Sequence, residues 1–93
     1  MDKVAERRVR VLSNVGLHTR PAALFVQAAT KAPYDVRVAK TGGEQVNAKS
    51  ILSVLSLDVR HDEEIVISAD GDDADKLLDE LAALVSEAEP NGG

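Results

Sequence analysis

The apolar residues of this chain switch repeatedly between a period of two and a period near 3.6, and the order of those switches restricts the fold more than any other feature. "RRVRVLS" alternates, with Val9 and Val11 on one face and Arg8 and Arg10 on the other, as a half-buried strand does. "NVG" at residues 14–16 breaks that strand. From Pro21 the spacing is helical: Ala22, Phe25, Val26 and Ala29 form one stripe. Pro21 suits a first turn, where its missing N–H leaves nothing unpaired. Pro33 stops the helix, because the residue before a proline is pushed out of the α region. "YDVRVAK" alternates again, with Val36 and Val38 inward, and "TGG" turns it into a short third strand around Gln45 and Val46.

In "KSILSVLSL", Ser50 is placed to cap a short helix. "EEIVISA" reads as a fourth strand, with Ile65, Ile67 and Ala69 inward and Val66 and Ser68 outward. "DGDDADK" serves as a turn and as an acidic first helical turn, which suits the helix dipole. Ala74, Leu77, Leu78, Leu81, Leu84, Val85 and Ala88 then carry a helical stripe towards a frayed "EPNGG" tail. The order is β-α-β-β-α-β-α. Every clear strand has one apolar face, and all three helices have a stripe to bury. A four-stranded antiparallel sheet with three helices on one face meets both needs and leaves the charged strand faces in water. The expected fold is therefore α+β, an open-faced two-layer β-sandwich. It forms one domain over residues 1–89, with a flexible tail at 90–93.

Composition excludes several functions. The net charge of −5 argues against nucleic acid as a partner, since phosphate-backbone affinity needs clustered Lys and Arg. One Phe, one Tyr and no Trp leave no aromatic platform for stacking bases. With no cysteine there is neither a disulfide nor thiolate chemistry. No apolar run approaches the roughly 18 residues of a membrane span, and the first eight residues lack a signal-peptide core. A soluble, cytoplasmic, monomeric protein is expected.

Chemistry concentrates in "GLHTRPAA", residues 16–23. A helix N-terminus leaves backbone N–H groups unpaired and carries about half a positive charge. An imidazole there is disfavoured as a cation, so His18 is poised as a neutral nucleophile. The same N–H groups would cradle a phosphoryl group attached to it. Arg20 adds a guanidinium suited to charge-assisted bonds with phosphate oxygens, and Gly16 lets the chain turn tightly. Against this stands a plainer reading, in which His18 is an exposed loop residue and Arg20 a solvated charge. The residues alone leave both open. His61, in the charged loop "RHDEE", reads as solvated. Asp72–Asp73 and "EEI" lack ligand spacing, so a capped helix start accounts for them better than a metal. No cofactor is implied.

"GLHTRPAALFVQAA" resembles the phosphohistidine motif of the HPr family, the phosphocarriers of the bacterial phosphoenolpyruvate–sugar phosphotransferase system. "VNAKSILSVLSLDV" resembles that family's second signature, around a regulatory serine, and "EEIVISADGDDA" its last strand and turn. The resemblance runs from residue 7 to about 86, with an apparent extra residue in the "KTGGEQ" hairpin. It implies the open-faced sandwich derived above and a carrier that is not itself a catalyst. In that reading His18 accepts a phosphoryl group from phosphorylated enzyme I, assisted by Arg20, and passes it to enzyme IIA during sugar uptake. It implies that a dedicated kinase/phosphorylase can act on Ser50. Leu52, Ser53 and Leu55 replace the Met and Gly familiar in many kinase-regulated members, which leaves the cap as Ser50's other role. Leu24, Leu52 and Leu55 fall where the family docks its partners. Two alternatives stay open: a nitrogen-branch HPr paralogue, and a module that binds a transcriptional regulator with Ser50 as the switch.

Overall fold

A computed structural model describes residues 4–12 and 19–86 of the chain. The elements run β1 (Val4–Arg10), α1 (Thr19–Thr30), β2 (Val36–Lys40), β3 (Val46–Asn47), α2 (Ile51–Ser56), β4 (Glu64–Asp70) and α3 (Ala74–Ser86). This is the element order read from the periodicity. The third strand is shifted by one residue from the expected centre: Gln45 precedes it and Asn47 ends it.

The four strands form one antiparallel sheet in the order β1-β4-β2-β3, so the last strand in sequence lies between the first two. Register places Val9 opposite Ile65, Ile67 opposite Val38, and Ala69 opposite Val36, which gathers the inward residues into rows. Helices cover that face. Phe25 of α1, Val54 of α2, and Leu78 and Leu81 of α3 are all fully buried with Ile65, Ile67, Val36 and Val38. Each such side chain contributes about 1.5–3 kcal/mol of burial. The layer is aliphatic throughout, apart from the Phe25 ring and the half-buried Tyr34 at its margin.

Ser68 departs from expectation. Read as a residue facing water, it is only 6% exposed. Its strand is interior to the sheet, and register sets it between Glu6 and Arg37. A small side chain between two long ones is shielded even on the open face, and its hydroxyl accepts a hydrogen bond from Gln45 Nε2 at 3.4 Å.

Arg7 is the other residue whose place the alternation did not announce. It has the inward parity of Val9 and sits opposite Ile67, but at the sheet edge. Its guanidinium reaches past the core to α3, donating from Nε and Nη2 to Asp79 Oδ1 at 3.1 and 2.6 Å. That hydrogen bond, helped by the charges of Asp79 and Asp75 and opposed by burial, raises the Arg7 pKa. An inward charge on an edge strand also discourages edge-to-edge pairing with other chains.

Candidate functional site

α1 begins at Thr19, with Arg20 and Pro21 in its first turn, as the proline predicts. Its twelve residues end at Thr30, short of Pro33. No acidic side chain lies in the first turn, so nothing there offsets the positive end of the helix. Arg20 is exposed, and among the described residues no carboxylate pairs with it. An anion reaching the start of α1 would meet a helix N-terminus and the exposed Arg20. His18 and Gly16 lie outside the described residues.

α2 packs against α1. Ser50 caps it as expected: the backbone is extended at φ −111°, and Oγ accepts from Ser53 N at 3.3 Å. The preceding turn is tied down on both sides. Lys49 N donates to Asn47 Oδ1 at 2.9 Å, and Ala48 N to Val36 O at 2.9 Å. Lys49 Nζ donates to Ala32 O, just past the end of α1, at 2.7 Å. Of the three leucines picked out for docking, Leu24 is 49% exposed and Leu52 is 77% exposed. Leu55 is half-buried and packs against the core, so only its outer side is free to a partner.

Leu12 was not singled out from the sequence, yet it is 42% exposed where the chain leaves β1 towards the His18 segment. The signal was available: with Val9 and Val11 inward, the alternation puts Leu12 outward. His61 is exposed in its loop, as read. Among the described residues no group of three or more His, Asp or Glu is placed to hold a metal ion. No helix among them is long and apolar enough to cross a membrane.

The opposite end of α1 is chemically different. A cavity of about 540 Å³ opens there between the α1–β2 connection and the start of α3, lined by Lys31, Tyr34, Asp73, Lys76 and Glu80 among others. Burial, and secondarily the charge of Asp73, raises the Tyr34 pKa. The cavity's lining mixes carboxylates with ammonium groups, and it lies a helix length, roughly 18 Å, from Arg20.

Comparison with known proteins bears on what the α1 end does. The family model described as the phosphotransferase-system HPr component phosphorylation site matches residues 5–87. The chain is 49% identical over 84 residues to the phosphocarrier protein HPr of Streptomyces coelicolor, covering 90% of each. Its structure resembles that of the phosphocarrier protein HPr from Bacillus anthracis, with a TM-score of 0.83 and 42% identity, covering 90% of this chain and 99% of the other. It also resembles the catabolite-repression protein Crh of Bacillus subtilis, crystallised as a domain-swapped dimer. The TM-score there is 0.66 and the identity 46%, over 77% of this chain and 82% of the other.

Proposed function

The chain belongs to the HPr family of phosphotransferase-system phosphocarriers, and from that premise we propose that it takes a phosphoryl group onto His18 from phosphorylated enzyme I and hands it to a histidine of enzyme IIA in the cytoplasm. The observation that carries this reading is the start of α1. The first turn of α1 holds no acidic side chain, Arg20 in it is exposed and paired to no carboxylate among the described residues, and the turn follows His18 directly in sequence.

The chemistry needs little else from this chain. The imidazole attacks the phosphorus of the donor phosphohistidine; the P–N bond to the donor breaks as the new one forms, and the donor ring keeps the electron pair. Charge on the three equatorial oxygens is offset by backbone N–H groups and the Arg20 guanidinium. Transfer onward to enzyme IIA is the same step reversed in role. The carrier contributes position and electrostatics, and acts as a reactant instead of an enzyme. Leu24 and Leu52, with the outer side of Leu55, form the docking face next to the site.

Ser50 is both a cap and a regulatory site in this reading. A phosphate there adds a charge of roughly −1.5 to −2 two residues from Leu52, which penalises an apolar partner surface while leaving the helix start intact. The likeness to Crh supports a second role, in which the Ser50-phosphorylated form holds a transcriptional regulator. The carrier acts as a monomer, which sedimentation at working concentration would test against the swapped dimer of the relative.

The deciding experiment uses the full chain with enzyme I, Mg²⁺ and phosphoenolpyruvate. Phosphate should enter wild type and not His18→Ala, whose fold should be unchanged by circular dichroism. Full incorporation into His18→Ala would overturn the assignment.

A further inference from the structure

Along the sheet and its loops, charged side chains find partners: Arg7 pairs with Asp79, Arg10 with Asp62, Lys40 with Glu63 and Arg60 with Asp58. The cavity between the α1–β2 connection and the start of α3 is different. Its lining includes two ammonium groups, Lys31 and Lys76, and three carboxylates, Asp72, Asp73 and Glu80. None of these five side chains makes a hydrogen bond or an ion pair with another described residue. Lys76 and Glu80 stand four residues apart on α3, a spacing that lets such side chains meet, and they too are unpaired.

The sequence reads Asp72 and Asp73 as part of a capped helix start. Backbone closes that start instead: Ala74 N donates to Gly71 O at 3.2 Å, and Lys76 N to Asp73 O at 3.1 Å. Neither carboxylate caps α3, so both can accept from a ligand. The remaining lining is apolar and anchored. Ala32 and Leu77 are buried members of the core, and the Tyr34 ring lies over Gly71, where a Cβ would stand 2.7 Å from its Cγ. Burial, more than the charge of Asp73, raises the Tyr34 pKa, so its phenol is a neutral hydrogen-bond donor at neutral pH. The volume, about 540 Å³, falls within the roughly 300–1,000 Å³ of small-molecule sites.

We infer that this cavity binds a basic amino acid of the L-lysine class, with a carboxylate and an ammonium on one carbon and a second cation at the end of an apolar chain. The head group fits the end where Asp72, Asp73 and Lys76 gather, with Lys31 across from them on the α1–β2 connection. Glu80 stands one further turn along α3 from Lys76, about 6 Å, and takes the second cation. The chain between them lies on Leu77 and Tyr34. Two positive and three negative groups give the lining a charge of −1, which a ligand of charge +1 neutralises. A diamine would leave both lysines unanswered, and a dicarboxylic acid would face three carboxylates. The site is independent of the carrier reading, since it occupies the other end of α1 and involves no phosphoryl chemistry.

The test is isothermal titration calorimetry of the full chain at neutral pH with three probes. These are L-lysine, cadaverine, which lacks the carboxylate, and L-norleucine, which lacks the second cation. L-Lysine should bind saturably at one site per chain, with Kd of about 1 mM or below. Cadaverine and L-norleucine should each bind about fivefold or more weakly, the loss expected when a charge contact near the surface is removed. Absence of saturable L-lysine binding would overturn the inference. Cadaverine binding as tightly as L-lysine would do so too, because it would reveal a general attraction of cations to an acidic chain.

Two variants locate the site. Lys76 and Glu80 are both exposed, and neither side chain is partnered by a described residue, so Lys76→Gln and Glu80→Gln should melt close to wild type without ligand. Glu80→Gln should weaken L-lysine about two- to fivefold and leave L-norleucine unchanged, because only L-lysine has a second cation to lose. Lys76→Gln should weaken L-lysine by a similar factor and should not weaken cadaverine, which has no carboxylate for it to hold. Variants that bind L-lysine like wild type would overturn the inference, as would a Glu80→Gln effect of equal size on L-norleucine.

Discussion

Gly71 lies in the turn between β4 and α3, and the Tyr34 ring packs directly over it. A Cβ built on Gly71 would stand 2.7 Å from Tyr34 Cγ and closer still to the ring edge. The Gly71 backbone is not in the left-handed region, so alanine is sterically excluded by its neighbour and not by its own φ. Forcing an extra methyl into such a contact costs about 1–3 kcal/mol, while the stiffer unfolded chain returns about 0.4–1 kcal/mol. The net cost of Gly71→Ala is therefore about 1–2 kcal/mol, a fall in Tm of roughly 4–16 °C for a domain of this size. Urea and thermal melts followed by far-ultraviolet circular dichroism measure it. In a Tyr34→Ala background the clash disappears, and the same change should be neutral or mildly stabilising, which leaves a coupling of at least about 1 kcal/mol in the double-mutant cycle. An equal penalty in both backgrounds would refute the steric account.

Three further outcomes follow from named contacts. Ser50→Ala should lose a cap worth about 1 kcal/mol yet transfer phosphate normally, whereas Ser50→Asp should melt close to wild type and transfer several-fold less well. Wild-type transfer by Ser50→Asp would reduce the serine to a cap. Glu63 is held below the usual carboxylate range, chiefly by the Arg60 backbone N–H at 2.7 Å, with Lys40 at 3.2 Å adding to it. The stability this confers is present above the unfolded value near about 4.3 and is lost as pH falls through the lower folded value. Glu63→Gln should thus lower Tm at neutral pH, with the gap to wild type closing in acid; a gap independent of pH would contradict the assignment. Arg20→Ala should slow phosphoryl transfer by about 10²-fold or more with little change in Tm, and unchanged single-turnover kinetics would remove Arg20 from the site.

The strands and helices were legible because each buries one face. Val36 and Val38, Ile65 and Ile67, and the Ala22–Phe25–Ala29 stripe declare both period and direction. Ser50 was legible as a cap because a short polar side chain before an apolar run has few other uses. Strand order was not, since β4 pairs between β1 and β2 only once all the helices lie on one side. The same long-range pairing hid Ser68, whose burial depends on Glu6 and Arg37 flanking it from other strands. Arg7 was opaque for a related reason: an inward arginine makes sense only once Asp79, 72 residues further along, is known to stand beside it. At the site, Leu24 and Leu52 could be placed outward from helical spacing. Leu55, picked with them, turned out to share itself with the core.

The central claim is reversible carriage on one histidine, and a load-and-discharge measurement tests it most directly. The full chain is charged by enzyme I and phosphoenolpyruvate, separated, and then mixed with enzyme IIA. The account predicts one acid-labile, base-stable phosphate per chain, mapped by fragmentation to His18 and leaving for enzyme IIA when the two are mixed. Phosphate that is stable to acid, that maps to another residue, or that stays on the chain in the presence of enzyme IIA would contradict it.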